Sequence, residues 1–199
     1  NGIRVIGDGV KNFIALFLMT WNCFYKTGDK DYSIYFKESN ISNDTITLHF
    51  GDGPSPMYKD LIGENVYLNI INRSNKYLYI TTPYLIVDYN LTNALKNAAK
   101  RGVDVRIVVP HIPDKKMIFW ITRSNYFDLI SAGVKIYEFT PGFIHSKFIL
   151  SDDDLAIIGT INFDYRSLVH HFECACLLYN AKCYKDMYDD FLNIINVSQ

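Results

Sequence analysis

An α/β fold, a mixed and largely parallel β-sheet flanked by helices on both faces, is what this 199-residue sequence predicts. Three observations carry the prediction. Between residues 76 and 140 strand-like and helix-like stretches alternate, strand–helix–strand–helix–strand, the pattern of βαβ units. "VDVRIVVP" (103–110) is a nearly unbroken apolar run, as expected of a parallel strand covered on both sides. Beyond residue 140 two apolar runs separated by "DDD" read as a hairpin, which makes the sheet mixed. A hydrophobic content of 49% supplies the core for one compact domain over residues 1–199, or for half of a larger enzyme.

The elements follow in order. Val10, Phe13, Ile14, Phe17, Leu18, Trp21 and Phe24 recur at helical spacing, so residues 9–25 predict a core helix. Its run "FIALFLMTW" falls far short of the ~20 residues that span a bilayer, and no signal-peptide pattern is present. Strand-like pieces follow at 34–36 and 45–50, then a turn cluster, "GDGPSP". Ser55 and Pro56 read as N-cap and first residue of a helix reaching about Asn72. Residues 76–84 predict a strand stopped by Pro83, and 90–102 a helix ended by Gly102, with Lys100 and Arg101 suiting its C-terminal dipole. A helix over 115–131 and a strand over 133–140 precede the hairpin; a strand over 172–179 follows it. The chain closes on an amphipathic helix with Tyr184, Met187, Tyr188, Phe191, Leu192 and Ile195 on one side.

A formal net charge of −1 argues against a protein that coats nucleic acid through a broad basic field, though a local phosphate pocket remains compatible with it. Cys23, Cys174, Cys176 and Cys183 have no zinc-site spacing and read as reduced core residues, the last strand's pair alternating with apolar neighbours. A reducing compartment follows as the default.

The informative stretch is "GFIHSKFILSDDDLAIIGTINFDYRS" (142–167). In a strand over 143–151, His145 and Lys147 share a face. If Asp153 and Asp154 form a two-residue turn, Lys147 lies opposite Thr160 and His145 opposite Asn162, and a one-residue slip would scatter them. An imidazole, an ammonium, a hydroxyl and a carboxamide would then converge as a phosphate site. Histidine can act as nucleophile or proton carrier near neutrality. Lysine supplies charge to phosphoryl oxygens, Thr160 and Asn162 supply neutral donors, and Gly159 permits close backbone approach. Asp152 lies seven residues from His145, on the other face and roughly 23 Å away along a straight strand, and is assigned to the turn and to structural hydrogen bonding. The pair His170-His171 reads as surface loop.

The joint spacing H-x-K-x4-D-x6-G-[ST]-x-N, matched by His145, Lys147, Asp152, Gly159, Thr160 and Asn162, resembles the signature of the phospholipase D superfamily, with Thr160 where Ser is commoner. The segments "TTPYLIVDYNLTNALKNAAKRGVDVRIVVP", "RSNYFDLISAGVKIYEFTPGFIHSK" and "NFDYRSLVHHFECACLLYN" look like the second half of bacterial cardiolipin synthases, and "NGIRVIGDGVKNFIALFLMTWN" resembles the segment that follows their first motif. The resemblance implies two motifs facing each other and metal-free, cofactor-free chemistry. One His attacks phosphorus to give a phosphohistidine; the other protonates the leaving alcohol and then deprotonates the incoming one. Two phosphatidylglycerol molecules would give cardiolipin and glycerol. His145 takes the acid/base role, and Glu173 accepts its Nδ1–H. Asp164 and Arg166 are mainly structural, with Arg166 also a candidate headgroup contact; Tyr84 is a candidate lining residue.

Only one motif is present: His49 and His111, the other histidines before residue 140, lack the H-x-K arrangement. With Asn1 in first place, this leads to the expectation of a C-terminal half whose partner half lies upstream, the whole enzyme acting at a bacterial cell membrane on its cytoplasmic side. The piece alone is expected to be folded and soluble, with little or no activity. Two rivals stand beside it. One is a single-motif phosphodiesterase or nuclease that completes its site as a homodimer. The other is a non-catalytic lipid-binding module with a vestigial site.

Overall fold

The computed structural model describes residues 2–25, 31–38, 45–54 and 59–199. Among them a seven-stranded sheet forms the frame, built from β1 (Ile46–Asp52), β2 (Tyr77–Thr81), β4 (Asp104–Pro110), β5 (Lys135–Phe139), β6 (Phe148–Ser151), β7 (Leu155–Gly159) and β9 (Glu173–Tyr179) in the order β1-β9-β7-β6-β2-β4-β5. The βαβ reading holds where it was made, for β2–β4 and β4–β5 are the parallel pairs. The other four neighbouring pairs are antiparallel, so the sheet is mixed rather than largely parallel. Hairpin-type returns after residue 140 and the early strand β1 supply that antiparallel half.

Helices cover both faces. On one, α2 (Ile62–Arg73), α3 (Tyr89–Lys100) and Leu129 of α5 (Tyr126–Ile130) pack on Leu78, Ile80, Val105, Ile107, Ile149 and Ile157. On the other, Tyr184 and Phe191 of α7 (Tyr184–Asn196) pack on Tyr79, Val108, Phe148 and Leu150. Alternation along each strand sorts these residues into two cores. Helix α3 starts where Asp88 accepts the Leu91 amide (2.9 Å), and Gly102, at φ +92°, turns the chain after it.

Several expectations are corrected. Helix α1 (Val10–Phe24) forms, but none of its residues is buried and Cys23 is exposed, so it is not a core helix; it leans on edge strand β1, Phe13 against the His49 ring at 3.7 Å. Residues 33–35 form a 3₁₀ turn instead of a strand. Strand β1 runs on through Gly51 and Asp52, where the sequence suggests a turn. The Ser55-Pro56 helix start lies outside the described residues. The helix expected at 115–131 is two, α4 (Lys116–Ser124) and α5, broken at Asn125, whose side chain donates to Leu85 O (2.9 Å) and Ile121 O (3.2 Å). Past Pro83 the chain adds β3 (Leu85–Ile86), which pairs in parallel with β8 (Phe163–Asp164) ahead of the short α6 (Tyr165–Val169).

Candidate active site

The hairpin β6–β7 is anchored at its tip. The Asp152 carboxylate accepts backbone amides of Asn75 (2.7 Å), Lys76 (2.8 Å) and Tyr77 (3.0 Å). Asp152 and Asp153 stand at φ 54° and 69°, a left-handed geometry that Asp tolerates better than most side chains. The connection is therefore three residues long, and the register runs Ser151↔Leu155 to Phe148↔Ile158, one residue off the pairing expected from a two-residue turn.

That slip does not scatter the polar groups, because regular pairing stops short of them: β6 begins at Phe148 and β7 ends at Gly159. The two arms are held from the end of β2, where Thr81 Oγ1 accepts the Phe148 amide (3.2 Å) and Thr82 Oγ1, one residue beyond the strand, accepts the Phe163 amide (3.0 Å). Between the arms and β9 opens a hollow of about 420 Å³ lined by His145, Ser146, Lys147, Ile158, Gly159, Thr160, Asn162 and Glu173. Gly159 sits against β9 so closely that a Cβ there would stand 2.4 Å from Cys174 O.

Within the hollow, Lys147 Nζ lies 3.0 Å from His145 Nδ1 and donates to His145 O at 2.6 Å. An ammonium only donates, so Nδ1 is the acceptor and the neutral imidazole carries its proton on Nε2. Desolvation first, and then the Lys147 charge, hold the His145 pKa below 6.5 despite Asp114 nearby. Desolvation also lowers the Lys147 pKa, with Glu173 and Asp164 opposing it. Asn162 donates to the buried Ser167 hydroxyl (2.9 Å); its Oδ1 and the Ser146 hydroxyl are buried with no partner among the described residues.

Glu173 shares the hollow, yet it does not accept from His145. Its Oε2 takes the Thr160 hydroxyl, and its Oε1 lies 3.5 Å from His171 Nδ1. Thr160 therefore has its hydrogen committed, and the expected free hydroxyl donor is not available in this arrangement. His171, read from sequence as surface loop, also accepts from Arg166 Nε (2.8 Å), closing a chain Arg166–His171–Glu173–Thr160 at the rim. Asp164 caps α6 by accepting the Ser167 amide at 2.7 Å. Tyr84 lies outside the hollow; its hydroxyl donates to Asp114 (2.7 Å), and its ring neighbours Phe143, which faces His145 at 5.7 Å. Tyr67, unmarked in the sequence, bonds Ile161 O (2.8 Å) and stacks on Phe163 beneath the site. Among the described residues no group of three His, Cys, Asp or Glu could hold a metal ion.

Compared with known proteins, residues 67–195 match the family described as cardiolipin synthase, PLD-like domain. The chain belongs to that family. Among relatives of this PLD-like chain, an "uncharacterized protein" of Streptococcus mutans is 45% identical across 99% of this chain and 42% of its own length. The cardiolipin synthase of Halalkalibacterium halodurans is 37% identical across 96% and 38%, and cardiolipin synthase 1 of Staphylococcus aureus 37% across 93% and 38%. The chain thus spans about two fifths of the length of these relatives. Two solved structures share the PLD-like fold. Nuc of Salmonella typhimurium, a phospholipase D family member, has a TM-score of 0.64 at 19% identity over 77% of this chain and 97% of its own. The phosphatidylserine synthase of Haemophilus influenzae has 0.64 at 16%, over 81% and 41%.

Proposed function

We propose that this chain supplies one half-site of a cardiolipin synthase-type phosphatidyltransferase, with His145 as its acid/base. The observation that carries the reading is the Lys147 ammonium on His145 Nδ1 within the hollow, which puts the proton of the neutral ring on Nε2. In that tautomer Nε2 has no lone pair for attack on phosphorus; when a bound phosphodiester draws Lys147 off Nδ1, the ring takes a second proton there and becomes the imidazolium acid. The nucleophile is then a histidine of a second half-site, which displaces glycerol from one phosphatidylglycerol to give a phosphohistidine. Proton delivery from the His145 imidazolium lets glycerol leave as the neutral alcohol and leaves a neutral imidazole to act as base in the second step. In the second step His145 takes the proton from a hydroxyl of another phosphatidylglycerol as that oxygen attacks phosphorus, releasing the histidine and forming cardiolipin. Lys147 and the remaining Asn162 N–H stabilise the phosphoryl oxygens, and a bound phosphodiester anion offsets the depression of the His145 pKa.

The greater length of the relatives favours a second half-site within the same enzyme. Nuc, nearly its whole chain covered by this one, favours the alternative in which two copies complete each other. The test is His145→Ala assayed in the assembly that contains both half-sites. Phosphatidylglycerol conversion falls by orders of magnitude, while a p-nitrophenyl phosphodiester, whose leaving group needs no proton, still gives a burst of nitrophenolate. Loss of the burst as well makes His145 the nucleophile. Unchanged lipid conversion removes it from the chemistry.

A further inference from the structure

Thr122 is the only buried residue of α4. Along its outer side stand Met117, Trp120 and Ile121, spaced i, i+3, i+4 and exposed by 72%, 70% and 41%; Phe127 and Ile130 carry the apolar side chains on into α5, at 82% and 53%. Five large apolar side chains on two consecutive short helices are more than scattered surface residues. The cations beside them are not spent: Lys115 and Lys116, both exposed, form no ion pair or side-chain hydrogen bond among the described residues. The neighbouring acids are engaged, Asp114 by Tyr84, Asp128 by Lys96 and Glu138 by Arg123. The inner side of α4 faces the site. Phe119 and Thr122 line a small hollow with Tyr84 and Phe143, and Phe143 leads to His145.

We propose that the outer face of α4 and α5 docks on an anionic lipid surface, Trp120 and Met117 entering the headgroup–acyl boundary and Lys115 and Lys116 meeting lipid phosphates. The inference rests on reading the substrate as a membrane phospholipid: a lipid whose phosphate reaches His145 keeps its acyl chains near the layer it came from, and α4 stands on that rim. Tryptophan suits the interface because its ring is apolar and its N–H is not, and unpaired lysines add attraction to anionic lipid.

Trp21 and Trp120 are the two tryptophans of the sequence, so each can be read alone. The full chain with Trp21→Phe is titrated with phosphatidylglycerol vesicles carrying brominated acyl chains, and with phosphatidylcholine vesicles. Trp120 emission shifts to the blue and is quenched on phosphatidylglycerol, and K115E/K116E weakens the apparent affinity roughly tenfold or more. Three results overturn the docking. One is no quenching on either vesicle. Another is quenching of Trp21 in the Trp120→Phe protein with Trp120 unaffected. The third is a blue shift that follows protein concentration without vesicles, which assigns the face to a second copy. Quenching needs no turnover, so a protein that docks through Trp120 but transfers no phosphatidyl group refutes the reaction alone. Turnover of short-chain soluble phosphatidylglycerol with Trp120 unquenched refutes the docking alone.

Discussion

Replacing Gly159 with alanine tests the geometry of the hollow without touching its polar side chains. A Cβ there would lie 2.4 Å from Cys174 O and 2.5 Å from both Cα and Cβ of Ala175, where ordinary contact begins near 3.4 Å. About 1 Å must therefore be found between β7 and β9. Two of the three obstructing atoms are backbone, and β9 is braced on its other side by β1, through Phe50↔Ala175. Overpacking usually costs about 1–3 kcal/mol, and a rigid obstacle puts this substitution near 3. For a chain of this length that corresponds to a Tm lower by roughly 6–12 °C. Urea denaturation followed by circular dichroism measures it, with Gly142→Ala as the control, since nothing lies within 4 Å of a Cβ at that position. A loss below about 0.5 kcal/mol, or one equal to the control's, refutes the close-approach argument.

Asp152→Ala strips three backbone amides of their acceptor and should cost about 2 kcal/mol in the same denaturation assay; a neutral result would mean water replaces the carboxylate fully. Burial, with Asp88 and Asp52 nearby, raises the Glu64 pKa against its bond from Asn90. A carboxyl raised on folding contributes its stability below its unfolded pKa and loses it as pH climbs through the folded value. Glu64→Gln is therefore expected to gain on wild type as pH rises from 4 to 8, and a pH-independent difference between the two melting curves would contradict this. In Lys147→Met the imidazole of His145 loses a cation that lowers its pKa, although desolvation remains the larger cause. Its titration, followed by the NMR signal of the ring Cε1–H, moves up; a fixed or lower midpoint overturns the electrostatic reading.

The βαβ core was legible because long apolar or periodic stretches such as 103–110 and 90–102 leave little choice of element. Three things were not. Whether the "DDD" connection holds two or three residues depends on Asp152 reaching backbone amides more than seventy positions away, and that contact has no local signal. The inward look of α1 came from periodicity, which reports a stripe but not what covers it. The pairing of Glu173 with His145 is what the family resemblance implies, whereas the partner it takes here, Thr160, faces it across β7–β9. The convergence of His145, Lys147 and Asn162 was anticipated through strand alternation and is reached through irregular backbone at the strand ends. His171 enters the site's surroundings through the loop after α6, and Ser167 through α6 itself, a helix of five residues too short to show a period.

Thr81 and Thr82 are adjacent in the chain, yet their hydroxyls grip opposite arms of the motif, one at the start of β6 and one after β7. The distance between the arm carrying histidine and the segment carrying asparagine is consequently measured out by a single buried peptide unit at the end of β2. Loops around the mouth can vary in length and composition while that gauge stays constant. A swap of either threonine for valine would keep the shape and remove the gauge, so the two arms would be free to breathe independently, with amide exchange at Phe148 or Phe163 as the visible sign.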